Sequence, residues 1–383
     1  MQTLLIKNAT VYADGHAMNR WVLCEDGKIA MLGRGEPDEP ADATVIDADD
    51  MVLLPGFVDI HVHGGSGVDA MDATPDATAQ MAEFYARHGV TSFLTTTWTD
   101  SAGKITAALE NAAECVGGFE NGATLRGVHL EGPYLNPKRS GAQNTKYVRR
   151  ADRAEATAWL DMGVIRLLSL APEYEENHWL IRECVERGVT VSAAHTDASY
   201  EEIAQAISLG LTNTTHTFNA MTGLHHRRPG VAGAAMAIPS LVCELIADNI
   251  HVHPAVMRLL WNAKNYQNIA LITDSIRAAG MPDGDYQVDE RTLYVRNGVA
   301  QLEDGTLAGS TLTMDAALRN FMAATGSPLD MVYEASSTTP AEAIGLGDVT
   351  GSIAPGKDAD LVLLDSDLRV QMTVAQGRVV YRV

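Results

Sequence analysis

Residues 125–142 read LRGVHLEGPYLNPKRSGA. An apolar run from Leu125 to Leu130 delivers one carboxylate, Glu131, onto a Gly-Pro break. This is the pattern of a buried strand that stops in a turn and leaves its last polar side chain at the sheet edge. A lone strand-end carboxylate is ordinarily a solvated charge. Here the same grammar, an apolar run ending in histidine or aspartate and then a turn, recurs along the chain, so the strand ends are weighed together.

Eight apolar runs, each followed by a plausible helix, can be counted: FVDIHVH (57–63), VTSFLTTT (90–97), LRGVHLE (125–131), VIRLLSLAPE (164–173), VTVSAAH (189–195), TNTTHTFNA (212–220), LVCELIADNIH (241–251) and IALITD (269–274). Such units predict an α/β fold, a parallel (β/α)8 barrel of the TIM type whose chemistry sits at the C-terminal ends of its strands. The polar residues fall there. His61 and His63 end strand one, Glu131 strand three, His195 strand five, His251 strand seven and Asp274 strand eight, while His216 sits late in strand six.

The chain ends have another texture. LLIKNATVY, turns at Asp14-Gly15 and Asp26-Gly27, ADLVLLD and GRVVYRV are short strands with turns. Residues 1–55 and 345–383 therefore predict a small β-sandwich domain built from both ends, enclosing a catalytic barrel over 56–344. QVDERTLYVRNGVAQLEDG (287–305) predicts a β-hairpin insert at about 282–308 that turns at Asn297-Gly298 and forms a flap.

Composition narrows the partners. Basic residues number 28 against 49 acidic, a net charge of −21, and so negative a field repels nucleic-acid backbones and anionic membranes alike. Cys24, Cys115, Cys184 and Cys243 lack C-x-x-C spacing and read as buried thiols of a reducing cytosol. The N-terminal MQTLLIKNATVYADG has no basic region before a long apolar run, so neither signal peptide nor membrane span is expected, and the reading is cytoplasmic.

Metal chemistry follows from the spacing. In H-x-H the two-residue period of a strand places His61 and His63 on one face. Glu131, His195 and His216 come from different strands and converge only at the barrel mouth. Nitrogen and carboxylate donors without thiolate suit Zn²⁺, Fe²⁺ or a similar divalent ion, which brings a coordinated water to ionise near neutral pH. Asp274 is placed to take that proton, although an N-cap role before SIRAAG is an alternative. His129 shares the face of Glu131, and its hydrogen bonding and ligation stay open.

These motifs resemble the amidohydrolase superfamily: H-x-H after strand one, histidines after strands five and six, aspartate after strand eight, PGFVDIHVHGG at the opening and APGKDADLVLLD at the close. HLEGPYLNPKRSGA, HTFNAMTGLHHRRPG, ADNIHVHP, LITDS and DGTLAGSTLTM are more specific and resemble its N-acetylglucosamine-6-phosphate deacetylase family. The resemblance implies a metal on Glu131, His195 and His216, with Asp274 as catalytic acid and base. It further implies substrate contacts from Ala142, Asn219, Ala220, Arg227, His251, Leu307, Ala308 and Gly309, and a homodimer in which Arg227 reaches the neighbouring site. HHRR (225–228) is the densest basic cluster near a strand end, as a phosphate ligand requires.

Two departures stand out. Intact His61 and His63 allow a second ion, so one or two per subunit are expected. Gln143 stands where some members carry a carbonyl-polarising histidine, which places Gln143 among the substrate contacts and leaves that task open between Gln143 and a second metal. The competing readings are another amidohydrolase, such as a cyclic-amide hydrolase or a deaminase, and a non-catalytic metal-binding barrel, which would need no Asp274.

Overall fold

The computed structural model describes residues 3–13, 15–49 and 51–383. Asp14, half of the expected first turn, lies outside them. Eight parallel strands form the barrel in chain order: Phe57–Val62, Val90–Thr96, Thr124–Glu131, Ile165–Leu170, Thr190–Ala193, Asn213–Thr214, Val242–Ile246 and Ile269–Ile272. All six residues of the first strand are buried, as a strand walled on both faces requires. Strands one and eight close at the mouth, where Asp274 N donates to His61 O (2.9 Å) and His63 N to Ser275 O (2.8 Å).

Helices cover the barrel for ordinary local reasons. Pro75–Arg87 starts on Thr74, whose side chain accepts from Ala77 N, with Pro75 at the first helical position. It buries Met81, Ala82, Phe84 and Tyr85 in the core that also holds Phe57 and Phe93. No helix among the described residues is long and apolar enough to cross a membrane.

Most strands end earlier than their sequences suggest, strand four at Leu170 and strand eight at Ile272 among them. Strand six is only Asn213–Thr214, because His216, Phe218 and Ala220 all have positive φ (31°, 83° and 50°) and cannot continue a ladder. Its β-branched threonines favour strand locally, and the turns override them. Strand five stops at Ala193, two residues before His195, and strand seven stops at Ile246, so His251 lies in the loop beyond it.

Both chain ends enter one eight-stranded sheet, with Leu361–Leu364 antiparallel to Val52–Pro55. It folds back where Ile29 N donates to Lys357 O (2.9 Å) and Ala359 N to Gly27 O (2.8 Å). Leu4, Ile6, Val22, Ile29, Leu363 and Met372 share the enclosed apolar cluster. Leu54, Val362 and Leu364 belong instead to the barrel core. Arg126 of barrel strand three reaches into the sheet, pairing with Asp358 (2.7 Å) and Asp360 (3.0 Å).

The insert has one strand more than a hairpin. Gly284–Val288, Arg291–Arg296 and Val299–Gln301 pair antiparallel, and the expected Asn297-Gly298 turn joins the last two with φ of 53° and 74°. Val288, Leu293, Val295 and Ala300 pack with Trp98 and Ala142, and Arg291 Nη2 donates to Ala142 O (2.8 Å). The flap is thereby docked on the loop after strand three.

Candidate metal centre

Strand three carries Glu131 to the barrel mouth as its last residue. Gly132 follows with φ +82°, and a Cβ there would meet Thr99 Oγ1 at 2.2 Å, so only glycine lets the chain turn directly behind the carboxylate. His195, His216 and Asp274 each lie two residues past their strands, with φ of 44°, 31° and 50°. A non-glycine residue in this left-handed region costs about 1 kcal/mol or more, and such strain gathers at functional sites. Backbone bonds hold it in place: Asn136 N to His195 O, Asn219 N to His216 O and Ser310 N to Asp274 O, at 2.8–2.9 Å.

The result is two adjoining donor sets. In the first, Glu131 Oε1, His195 Nε2 and His216 Nε2 lie 3.1 Å from one another. A tetrahedral ion with bonds of about 2.0 Å keeps its donors about 3.3 Å apart, so the triangle fits a single divalent ion. In the second, Asp274 Oδ1 lies 3.5 Å from His61 Nε2 and 3.3 Å from His63 Nε2. His61 Nε2 and Asp274 Oδ1 are buried without hydrogen-bond partners, which a cation between them would satisfy. Glu131 joins the sets, its Oε2 lying 3.2 Å from His63 Nε2 and 3.6 Å from His61 Nε2.

Charge matches geometry. Burial works against ionisation of Glu131, yet His61, His195 and His216 hold its carboxyl well below the usual range. Burial likewise opposes the charge of Asp274, but His61 and His63 keep it lowered. Burial disfavours imidazolium at His63, and Asp274 with Glu131 outweigh it, raising the ring to about 9. Without a metal, protons on His61 and His63 supply the positive charge that two buried carboxylates demand.

A cavity opens on these groups. Ala142, Gln143, Asn219, Ala220, His251, Leu307 and Gly309 of the expected substrate contacts line it. Ala308 does not; it is buried, and its N–H is spent on Ala300 O (3.1 Å). Arg227 does not either. It is exposed beside His226 and lines a separate cavity with Arg139 and Arg228. No lysine or arginine among the described residues lines the catalytic cavity. Gln143 holds Glu131, with Nε2 donating to Oε2 at 2.7 Å while its Oε1 accepts from Thr99 N at 2.8 Å. His251 Nδ1 lies 2.6 Å from Asp248 Oδ2; burial lowers that ring's pKa, and Asp248 more than restores it.

His129 Nε2 meets Ser169 Oγ at 2.6 Å, and its buried Nδ1 has no hydrogen-bond partner, so the ring stands outside the two donor sets above. Two residues were missed. Trp98 stacks on His63 with centroids 4.1 Å apart, and Glu244 meets His61 Nδ1 at 3.2 Å. A lone carboxylate inside the apolar run LVCELI was the available signal for Glu244.

Fold and site together define a metal-dependent hydrolase built on a (β/α)8 barrel. Residues 52–380 match the amidohydrolase family, and the chain belongs to it. It is 39% identical to N-acetylglucosamine-6-phosphate deacetylase of Bacillus subtilis strain 168, over 99% of this chain and 98% of that one. It is 40% identical to N-acetylgalactosamine-6-phosphate deacetylase of Escherichia coli O157:H7, over 92% of each chain. A variant N-acetyl-D-glucosamine-6-phosphate deacetylase from Mycobacterium smegmatis, solved with N-acetyl-D-glucosamine-6-phosphate, is similar at a TM-score of 0.92. The identity there is 32%, over 99% of this chain and 100% of that one.

Proposed function

We propose that the chain removes the acetyl group from N-acetyl-D-glucosamine 6-phosphate, giving D-glucosamine 6-phosphate and acetate, a step of amino-sugar catabolism. The observation that carries this reading is the convergence of Glu131, His195, His216 and ionised Asp274 on one cavity, in a chain whose full-length relatives are named for this reaction. Glu131, His195 and His216 would hold one ion, and His61, His63 and Asp274 a second; Zn²⁺ suits these donors best, with Fe²⁺ next. A bound ion supplies Lewis acidity and brings water to ionise near neutral pH.

The chain's own residues do the rest. Asp274 accepts a proton from the attacking water as the new C–O bond forms, then gives it to the amine nitrogen as the C–N bond breaks. Gln143 keeps Glu131 in register, and Trp98 keeps the ring of His63 from turning. The 6-phosphate needs a cation that this cavity lacks among the described residues of one chain, and exposed Arg227, in the basic cluster with Arg228, is a candidate to reach a neighbouring subunit's site. This supports the reading of a homodimer in which Arg227 is donated in trans.

The relative named for the galacto sugar favours a second reading, the C4 epimer as substrate. Acetate release separates these: N-acetylglucosamine 6-phosphate, N-acetylgalactosamine 6-phosphate and unphosphorylated N-acetylglucosamine are compared with and without chelator. The gluco phosphate should be hydrolysed fastest, and only by metal-loaded protein. A preference for the galacto epimer would transfer the assignment to it, and chelator-insensitive turnover would remove the metal from the reaction.

A further inference from the structure

A histidine that faces a metal usually has its other ring nitrogen held, because that bond selects the tautomer and aims the ring. Backbone carbonyls do this for two of the site histidines: His63 Nδ1 lies 3.2 Å from Thr96 O, and His195 Nδ1 lies 2.8 Å from Arg139 O. His61 differs. Its Nδ1 lies 3.2 Å from Glu244 Oε2, and neither residue has any exposed surface. Glu244 stands in the middle of barrel strand seven, and His61 is its ion-pair partner there. An uncompensated carboxylate in a barrel interior costs several kcal/mol, so its presence calls for a task that an apolar residue could not perform.

We propose that Glu244 is a positioning residue for His61: it accepts the Nδ1–H bond, aims Nε2 at Asp274 and Glu131, and makes that nitrogen a stronger donor to the second ion. The inference rests on the reading that His61, His63 and Asp274 hold an ion. The carboxylate supplies what a carbonyl cannot, a full negative charge behind the ring, and it does so for one donor set only. His195 of the other set is backed by a carbonyl, and His216 Nδ1 has no partner. The two metal positions therefore depend differently on Glu244.

His61, His129 and Glu244 also bring ligand atoms within 4.8 Å of one another, which raises the question of a third ion. Such an ion would take His61 Nδ1 while Nε2 serves the second position, and an imidazole can bridge two ions only by losing both ring protons. A hydrogen bond to Glu244 asks for no such loss.

The test is competition titration of metal-free wild type and Glu244→Gln with Zn²⁺ against a chromophoric chelator. The amide can still accept from Nδ1 but carries no charge, so any effect comes from the carboxylate's charge. Wild type should take two ions. Glu244→Gln should bind the first as tightly and the second about 10- to 100-fold more weakly. In a His61→Asn background the same substitution should change nothing further in metal binding. Unchanged affinities with a lowered melting temperature would mean that Glu244 is only structural and would overturn the proposal. A wild type that takes one ion would sink the two-ion reading and this inference together.

Discussion

Gln143 Nε2 donates to Glu131 Oε2 over 2.7 Å, the closest side-chain contact that the central carboxylate makes. With Thr99 N fixing the other end of the amide, Glu131 is clamped so that Oε1 faces His195 and His216. Gln143→Ala should therefore weaken metal binding at the principal site by about 10- to 100-fold while leaving the fold intact. Metal content after dialysis and the circular dichroism spectrum check this together.

Glu131→Ala removes the carboxylate common to both donor sets. Bound metal and acetate release should disappear together in a protein that still melts cooperatively. Full metal content in this variant would dismiss Glu131 as a ligand.

Asp274→Asn keeps shape but cannot take a proton. Turnover should fall by roughly 10² to 10⁴-fold while the ion at Glu131, His195 and His216 stays bound. Rates near wild type would place the base elsewhere.

Metal binding should depend on pH in a defined direction. Asp274 and Glu131 raise His63 to about 9, against the effect of burial, and raise His61 well above its ordinary value. Both rings are then protonated at neutral pH in the metal-free protein, and an ion must displace those protons. Affinity should rise as pH climbs toward about 9, with proton release at pH 7 visible by calorimetry in buffers of different ionisation enthalpy. Affinity independent of pH would contradict this.

Asp315 offers a stability test away from the site. Burial opposes its ionisation, but the His88 hydrogen bond, with Thr313 and Arg319, lowers it to about 2. A carboxyl lowered from 3.8 to about 2 stabilises the fold above pH 3.8, by about 2 kcal/mol, and that contribution is lost as pH falls toward 2. Asp315→Asn should lower the melting temperature at pH 7, and the gap to wild type should narrow below about pH 4.

Arg227→Ala should raise KM for the phosphorylated sugar by about ten- to a hundred-fold, with a smaller loss in kcat, because a remote phosphate contact serves ground and transition states alike. Mixing this variant with Asp274→Asn and allowing subunits to exchange should restore activity in hybrid dimers. No recovery despite proven exchange would place Arg227 outside the partner's site.

What the sequence determined by itself was whatever local periodicity encodes. Alternation set His61 and His63 on one face, buried apolar runs and their turns marked eight strands, and the Gly-Pro break marked Glu131 as a strand's last residue. Tertiary structure decided what depends on distant segments. His61 meets Glu244 across 183 residues of chain, and Gln143 meets Thr99 across 44. The left-handed turns of His195, His216 and Asp274 also escaped the pattern, because residues strained in that way are held only by bonds from elsewhere in the fold. The resemblance assigned Arg227 to a neighbouring subunit's site; the folded chain places it on a separate cavity, and among the described residues no lysine or arginine lines the cavity at the metal centre.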